Sequence, residues 1–220
     1  MESEIKILIH DAILNGFDLS YANKFVELQT KYKDDAQLQK ECAFWIAVVY
    51  AENNLPDEAV DIFIELIEAK DNLPEHFPNI LIHTLQLLTK LHRLEEAHHL
   101  FITHIFDKEL TPFLYTLGLL SWYVETFEPS DFELAKYEDL LDSAMDKLGF
   151  HSNEAELSRK IMHVTRVNST TNIEYSTLLI SLKGKLKNEK VQVLNEFIDS
   201  KPPDFYKRLA QEVLSRIQVT

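Results

Sequence analysis

The sequence predicts an all-α fold built as a right-handed stack of antiparallel helix pairs. Apolar residues recur at helical spacing almost throughout the 220-residue chain. Only 4 residues are glycine, about a quarter of the usual share, whereas a protein of many tight hairpins needs more. The segments between the apolar stripes span about 3 to 6 residues, too short to carry strands. We therefore expect about 11 to 12 helices and no sheet.

The helices of the first half are separated by short breaks. A break at residues 16–18 divides the first apolar stripe from the second, and a third helix is predicted over about residues 35–51. The break at residues 53–56 ends it. Pro56 fits the first turn of a fourth helix, where its missing N–H costs no hydrogen bond. Further helices follow a break at residues 71–74 and a short turn at His92-Arg93.

The second half continues in the same way. Thr111-Pro112 reads as an N-cap followed by proline, and it opens a helix that runs to Val124. After a break at residues 128–130, a helix over residues 132–148 ends at Gly149, a residue suited to a helix C-terminus. The remaining helices are expected at residues 153–165, 173–186, 189–199 and 203–217.

The charge is strongly acidic and unevenly distributed. The chain carries 22 basic and 36 acidic side chains, for a formal charge of -14. Because nucleic acids and anionic lipids bind positive surfaces, neither is an expected partner of the whole chain. Residues 1–150 hold 11 basic and 28 acidic side chains, and residues 151–220 hold 11 basic and 8 acidic. The later segment includes a basic cluster: Lys183, Lys185, Lys187 and Lys190.

A repeat of 38 residues runs through the acidic part. Three alanines and three phenylalanines share this spacing: Ala59, Ala97, Ala135 and Phe25, Phe63, Phe101. The first copy has Tyr21 in place of the alanine, and the last has Asp139 in place of the phenylalanine. Such a unit is a helix pair that cannot bury its apolar face alone, so we expect the pairs to stack. The alternative is a chance match inside an irregular helical bundle.

The second copy resembles the two-helix unit of the tetratricopeptide family. Small Ala47, Tyr50 and the alanine-x3-phenylalanine of Ala59 and Phe63 carry the resemblance, which covers about residues 20–145. The usual unit is 34 residues rather than 38, which indicates a divergent array. The resemblance implies that the first helix of each pair lines a concave groove for a partner protein.

The implied lining comes from three successive first helices: Glu41, Phe44, Val48, Glu52, Asn79, Ile82, Gln86, Lys90, Leu117, Leu120 and Val124. Family members that grip chaperone tails use basic and amide side chains on this surface. Here Phe44, Val48 and Ile82 are apolar instead. We therefore expect no carboxylate clamp, but a groove for an amphipathic helix or extended segment, with the acidic surface steering a basic partner.

The sequence gives little support for a catalytic site or a metal site. Nucleotide-binding glycine motifs and the serine-nucleophile elbow are absent from the sequence. Cys42, the only cysteine, lies among apolar residues and reads as a packing residue. Glu95-x-x-His98 and Glu96-x-x-His99 resemble half of a di-iron site, but no second such motif occurs. We expect no cofactor, no metal and no enzymatic activity.

The sequence therefore predicts a protein-binding adaptor or scaffold subunit of a cytoplasmic complex. We expect an acidic array over residues 1–166 and C-terminal helices over residues 167–220 that pack on it or cap it, because residues 167–172 are polar. No residues suggest a membrane span or a signal peptide.

Two other functions stay open. The run Asp71-Asn72-Leu73-Pro74 with residues 80–88 and 94–97 is similar to the cytosolic part of tail-anchored peroxisomal receptors that recruit an AAA ATPase. Such a receptor would sit at the cytosolic face of an organelle, with its anchor after Thr220. A helical metalloenzyme is the alternative from another class. The partner's identity and the oligomeric state stay open as well.

Overall fold

The chain is helical wherever its structure is described. A computed structural model describes residues 2–69, 80–107 and 113–219, and no strand occurs in these ranges. The chain divides into two compact units, residues 1–112 and residues 113–220. The prediction of an all-α protein is confirmed for the described residues. The predicted break at residues 71–74, the helix start at Thr111-Pro112 and the lining residue Asn79 lie outside them.

In the first unit each helix packs against the next one along the chain. Asp35 caps the helix Ala36–Glu52 by accepting a hydrogen bond from the Leu38 N–H at 3.0 Å, and Pro56 occupies the first position of the helix Pro56–Glu68 as the sequence predicts. The helices are α1 (Glu2–Leu14), α2 (Ser20–Lys31), α3 (Ala36–Glu52), α4 (Pro56–Glu68), α5 (Ile80–Lys90) and α6 (Leu94–His104).

The turns that join α1 to α2, α3 to α4 and α5 to α6 share one left-handed residue and one closing hydrogen bond at a spacing of 38 residues. Gly16, Asn54 and His92 all have left-handed backbone, with φ of 71°, 59° and 58°. In each turn the next N–H donates to a carbonyl five residues earlier, at 2.9, 3.0 and 2.9 Å. This bond closes the end of the preceding helix. The first turn differs at its next residue, because Phe17 is also left-handed, with φ of 54°, whereas Leu55 and Arg93 have φ of -116° and -86°.

Each later turn also bonds to the copy before it. The Asn53 side chain donates to the Phe17 carbonyl at 2.7 Å, which joins the second turn to the first. The Arg93 guanidinium lies 3.4 Å from the Asp57 carboxylate and 3.9 Å from that of Asp61, so the third turn meets the start of α4. These bonds fix the spacing of consecutive helix pairs at one edge of the unit.

The repeated aromatic and small residues form the core of this unit. Phe25, Phe63 and Phe101 are buried, as are Ala59 and Ala97. In the first copy the large and small residues are exchanged between the two helices. Tyr21 and Ala12 belong to one core cluster, whereas the equivalent positions 59 and 50 hold alanine and tyrosine. The exchange keeps the packed volume similar, which a core tolerates.

The copy predicted around Ala135 does not share this structure. Ala135 is exposed and begins a 3-10 turn, while the preceding residue, Leu134, is fully buried. Ala135 also belongs to the second unit. The helix that ends at Leu134 packs against the long helix Leu157–Ser181 of the second unit, and the face that it buries carries Leu134 and not Ala135. The prediction that Ala135 packs like Ala59 and Ala97 is corrected.

We expect Ala97→Leu to lower the free energy of unfolding by about 1–3 kcal/mol, because the added carbons have no space in a packed core. The same change in Ala135→Leu should fall within about 0.5 kcal/mol of the parent, since this side chain faces solvent. Urea denaturation of both variants compares the two sites directly. Equal losses would contradict the burial difference on which the corrected repeat rests.

The second unit is arranged around one long helix. Its elements are α7 (Phe113–Phe127), α8 (Asp131–Leu134), a 3-10 turn (Ala135–Tyr137), α9 (Glu138–Leu148), α10 (Leu157–Ser181), α11 (Lys187–Asp199) and α12 (Asp204–Val219). Within this unit α10 packs against α7, α8, α9, α11 and α12. Ser130 and Glu133 form a capping box at the start of α8, as expected from the break at residues 128–130.

The unit boundary lies elsewhere than the sequence suggests. Residues 167–172, chosen as the boundary for their polarity, lie in the middle of α10. The hydroxyls of Thr170 and Thr171 donate to carbonyls four residues earlier, both at 3.0 Å, and so are satisfied within the helix. Buried Val164, Thr171 and Tyr175 keep a helical spacing across the segment. The two units divide after Pro112 instead of after residue 166.

Candidate functional site

A small concavity in the first unit carries the candidate site. Its volume is about 200 Å³, below the roughly 300–1,000 Å³ of typical small-molecule pockets. This space suits one side chain of a bound polypeptide better than a whole cofactor. The lining comes from α3, α4 and α5: Phe44, Val48, Ala51, Glu52, Phe63, His83, Gln86, Leu87 and Lys90.

The repeat explains how two helices supply equivalent positions to one cavity. Val48 and Gln86 are 38 residues apart, and so are Glu52 and Lys90. On α3 the lining residues follow intervals of four, three and one, and on α5 they follow intervals of three, one and three. Each set therefore occupies one helix face. Equivalent faces of two successive first helices line the concavity.

The floor of the cavity is held by the core beneath it. Phe44 is buried, and its ring lies 5.4 Å from that of Trp45 in an edge arrangement and 5.6 Å from that of Phe63. Trp45 in turn stacks on Phe17, with ring centroids 5.9 Å apart. Such contacts hold aromatic side chains in place. The apolar floor is therefore preformed in the folded unit and does not require a bound partner.

The rim combines charged and polar groups. Glu52, Gln86 and Lys90 are exposed at the mouth, so the cavity offers an anion, an amide and a cation. Part of His83 is exposed, yet desolvation lowers the pKa of its imidazole, and nearby Glu52 acts in the opposite direction. The lowered pKa favours the neutral form of this imidazole. The net result is an apolar floor with a mixed polar edge.

Five of the ten described residues in the expected lining come together here. Phe44, Val48, Glu52, Gln86 and Lys90 line the concavity. Glu41 and Ile82 are half-buried on the same two helices but do not line it.

The other three predicted residues lie in the second unit. Leu117 and Leu120 are fully buried in α7, and Val124 is partly buried. The α7 helix packs against α9 and α10, and the Thr165 hydroxyl donates to the Leu117 carbonyl at 3.2 Å. Leu117 and Leu120 are therefore packing residues of that unit.

Sequence reasoning missed two parts of this surface. Ala51, Phe63, His83 and Leu87 line the cavity, although the expected lining includes none of them. The repeat spacing also relates His10 and Leu14 of α1 to Val48 and Glu52 of α3, and both α1 residues are exposed. Subtracting 38 from the α3 positions would have found them. The equivalent face of α1 thus presents an exposed leucine at its end.

The outward face of α4 is acidic. Its exposed carboxylates are Asp57, Glu58, Asp61, Glu65 and Glu68. Arg93 is paired with Asp57, Asp61 and Glu96, which accounts for part of this charge. The Arg93 guanidinium also lowers the pKa of the Glu96 carboxyl, so this side chain stays ionised at neutral pH. The acidic surface adjoins a cavity whose own charges are mixed.

The residues considered for catalysis or metal binding lie in α3 and α6. Cys42 is buried in the core, where desolvation raises the pKa of its thiol to about 12. A group that stays protonated at neutral pH is a poor nucleophile. Glu95, Glu96, His98 and His99 lie in the first half of α6. Within the described ranges, no group of three or more histidine, cysteine, aspartate or glutamate side chains is placed to hold a metal ion.

No protein-family model matches the chain, and searches of curated proteins and of solved structures give no significant match. Among residues 2–69, 80–107 and 113–219, no helix is long and apolar enough to cross a membrane.

Proposed function

We propose that the chain is a non-enzymatic binding module whose first unit is a divergent, tetratricopeptide-like solenoid. It receives a helix or an extended segment of a partner protein on the faces of α3 and α5. The observation that carries the proposal is the concavity lined by Val48 with Gln86 and Glu52 with Lys90, two pairs related by the repeat. Repeat proteins use such successive equivalent faces as extended binding surfaces.

The size of the cavity defines how a partner would be held. About 200 Å³ accepts one apolar side chain, and burying such a side chain contributes about 1.5–3 kcal/mol. That alone gives only millimolar binding or weaker. The partner segment therefore needs further contacts along the same face, which the half-buried Ile82 and the exposed Leu14 offer. The acidic outer face of α4 favours a segment with net positive charge.

We expect Val48→Lys to weaken partner binding about 30-fold or more, because it places a charged side chain at the cavity and removes about 2 kcal/mol of anchor energy. Val26→Lys is the matched control. It makes the same change on α2, at a valine that is 45% exposed and does not line the cavity. The parent and both variants are used to capture proteins from the native cells, and captured proteins are quantified by mass spectrometry.

A protein lost from Val48→Lys but retained by Val26→Lys is then purified and titrated calorimetrically against all three chains. A photo-crosslinking residue at exposed Gln86 identifies the bound segment. If every captured protein binds the parent and Val48→Lys equally, the concavity is not the binding site. Thermal melts of the three chains separate lost binding from lost folding.

A further inference from the structure

The turn between α10 and α11 carries a second surface with a chemistry of its own. We define the α10–α11 tip as residues 179–190, in which Leu179, Ile180 and Leu186 are exposed apolar residues. Ile180 is 64% exposed and Leu186 is 74% exposed. The same segment holds four lysines and a single acidic residue, Glu189.

The turn at Gly184 is open to solvent. Gly184 adopts a left-handed conformation with φ of 77°, and nothing lies within 4 Å of the position that its Cβ would take. Leu182, by contrast, is buried and packs the turn against the unit. The exposed side chains on both sides of Leu182 are therefore accessible to a partner.

The lysines of the tip are available for a partner. Lys183, Lys185 and Lys190 form no ion pair with any described residue, and the Lys187 ammonium donates to the Gln218 carbonyl at 3.4 Å. The only carboxylate of the tip, that of Glu189, accepts a hydrogen bond from the Leu186 N–H at 2.8 Å. In a chain of charge -14, this segment is locally positive.

We propose that the α10–α11 tip docks on the surface of a membrane that contains anionic phospholipids. Such a surface offers negative headgroups and, a few ångströms deeper, an apolar layer, and the tip presents lysines beside exposed leucine and isoleucine to match both. Lysine side chains reach headgroups while their stems and neighbouring apolar residues lie deeper. Ile173 lies two turns before Ile180, is 68% exposed and extends the apolar contact along α10.

This contact is peripheral and independent of the proposed protein-binding site. The acidic net charge led us to expect no binding to anionic lipid by the whole chain. Such binding depends instead on the charges within a Debye length of the membrane, which here are the lysines of the tip. An acidic protein segment would satisfy the lysines, but it offers no apolar layer for the protruding Ile180 and Leu186. The combined chemistry therefore favours a lipid surface.

The first test is sedimentation of the full chain with vesicles of phosphatidylcholine, with and without phosphatidylserine. We expect binding only to the vesicles with phosphatidylserine, and release at high salt. Lys183→Gln with Lys185→Gln should weaken binding about 30-fold, at about fivefold per lysine. Ile180→Ser should weaken it about tenfold. The matched controls are Lys24→Gln with Lys33→Gln, and Ile7→Ser, which repeat these changes at exposed residues of the first unit.

The second test places an environment-sensitive dye at Leu186→Cys. The native Cys42 is fully buried with a pKa of about 12, so it does not compete for the label. Phosphatidylserine vesicles should shift the emission to the blue, whereas a dye at Lys33→Cys should not respond. Failure to bind these vesicles, or equal binding by tip and control variants, overturns the proposal. Binding of a polyglutamate peptide through the tip lysines, without vesicle binding, would also overturn it and assign the tip to an acidic protein.

Discussion

Phe25→Ala should lower the free energy of unfolding of the first unit by about 3–5 kcal/mol. The ring is fully buried in the cluster formed by α1, α2 and α3, beside Cys42, Ile46 and Val49. Removing it leaves a cavity that the three helices cannot close, because the bonded turn of each pair fixes their spacing. Phe25 is one of the phenylalanines that define the repeat, so the variant tests the repeat core as well as a single contact.

The two tryptophans of the chain allow each unit to be followed separately. Trp45 packs against the Phe25 cluster, and Trp122 lies in α7 of the second unit. In a Trp122→Phe background, the fluorescence of Trp45 therefore reports urea unfolding of the first unit. Val26→Ala, the next residue on α2 and partly exposed, is the neighbouring control and should change stability by about 0.5 kcal/mol or less. Similar losses in the two variants would contradict the assignment of Phe25 to the core.

The aromatic core of the first unit could be predicted because it depends on local pattern. Phe25, Phe63 and Phe101 recur at one spacing, and each lies on the apolar stripe of its own helix. A helix with a regular period buries the same face in every copy. The turns are harder to recognise, since Gly16, Asn54 and His92 share a backbone conformation but not a residue type. Glycine, asparagine and histidine all tolerate this conformation better than most residues.

The error at Ala135 shows where a spacing argument fails. Glu133 and Ala135 match Glu95 and Ala97, but the capping box at Ser130 starts only one turn of α-helix before the 3-10 turn begins. Leu134 precedes that turn and is the buried residue of α8, which packs against α10. The spacing of residues along the chain cannot reveal this packing, because the earlier copies pack against different helices.

The division of the chain into two units also explains why only part of the expected lining forms the cavity. The tetratricopeptide resemblance implies that Val48 and Gln86 line one groove, and the structure brings them to one cavity. The same implication for Leu117 and Leu120 requires a further helix pair of this kind, whereas α7 belongs to a unit centred on α10. The cavity itself also depends on Phe63 of α4, a contact between consecutive pairs that no single helix pattern contains.

Gly149→Ala should destabilise the second unit by about 2–4 kcal/mol, and Gly184→Ala by only about 1 kcal/mol. Both glycines are left-handed, with φ of 74° and 77°, so both pay the same backbone penalty of about 1 kcal/mol when a Cβ is added. Their surroundings differ. A Cβ on Gly149 would lie 2.8 Å from the backbone nitrogen of Asp204, the first residue of α12, whereas a Cβ on Gly184 meets open space. The excess at Gly149 measures the cost of moving α12.

Asparagine at the same two positions separates the cost of the left-handed backbone from the cost of the Cβ contact. It tolerates left-handed backbone but still carries a Cβ. Gly184→Asn should regain most of the stability lost in Gly184→Ala, while Gly149→Asn should remain close to Gly149→Ala. Urea unfolding in a Trp45→Phe background, with Trp122 as the reporter, measures all four variants. Equal losses at the two glycines would mean that the first turn of α12 moves freely. In that case the close approach of α9 to α12 contributes nothing to the stability of the second unit.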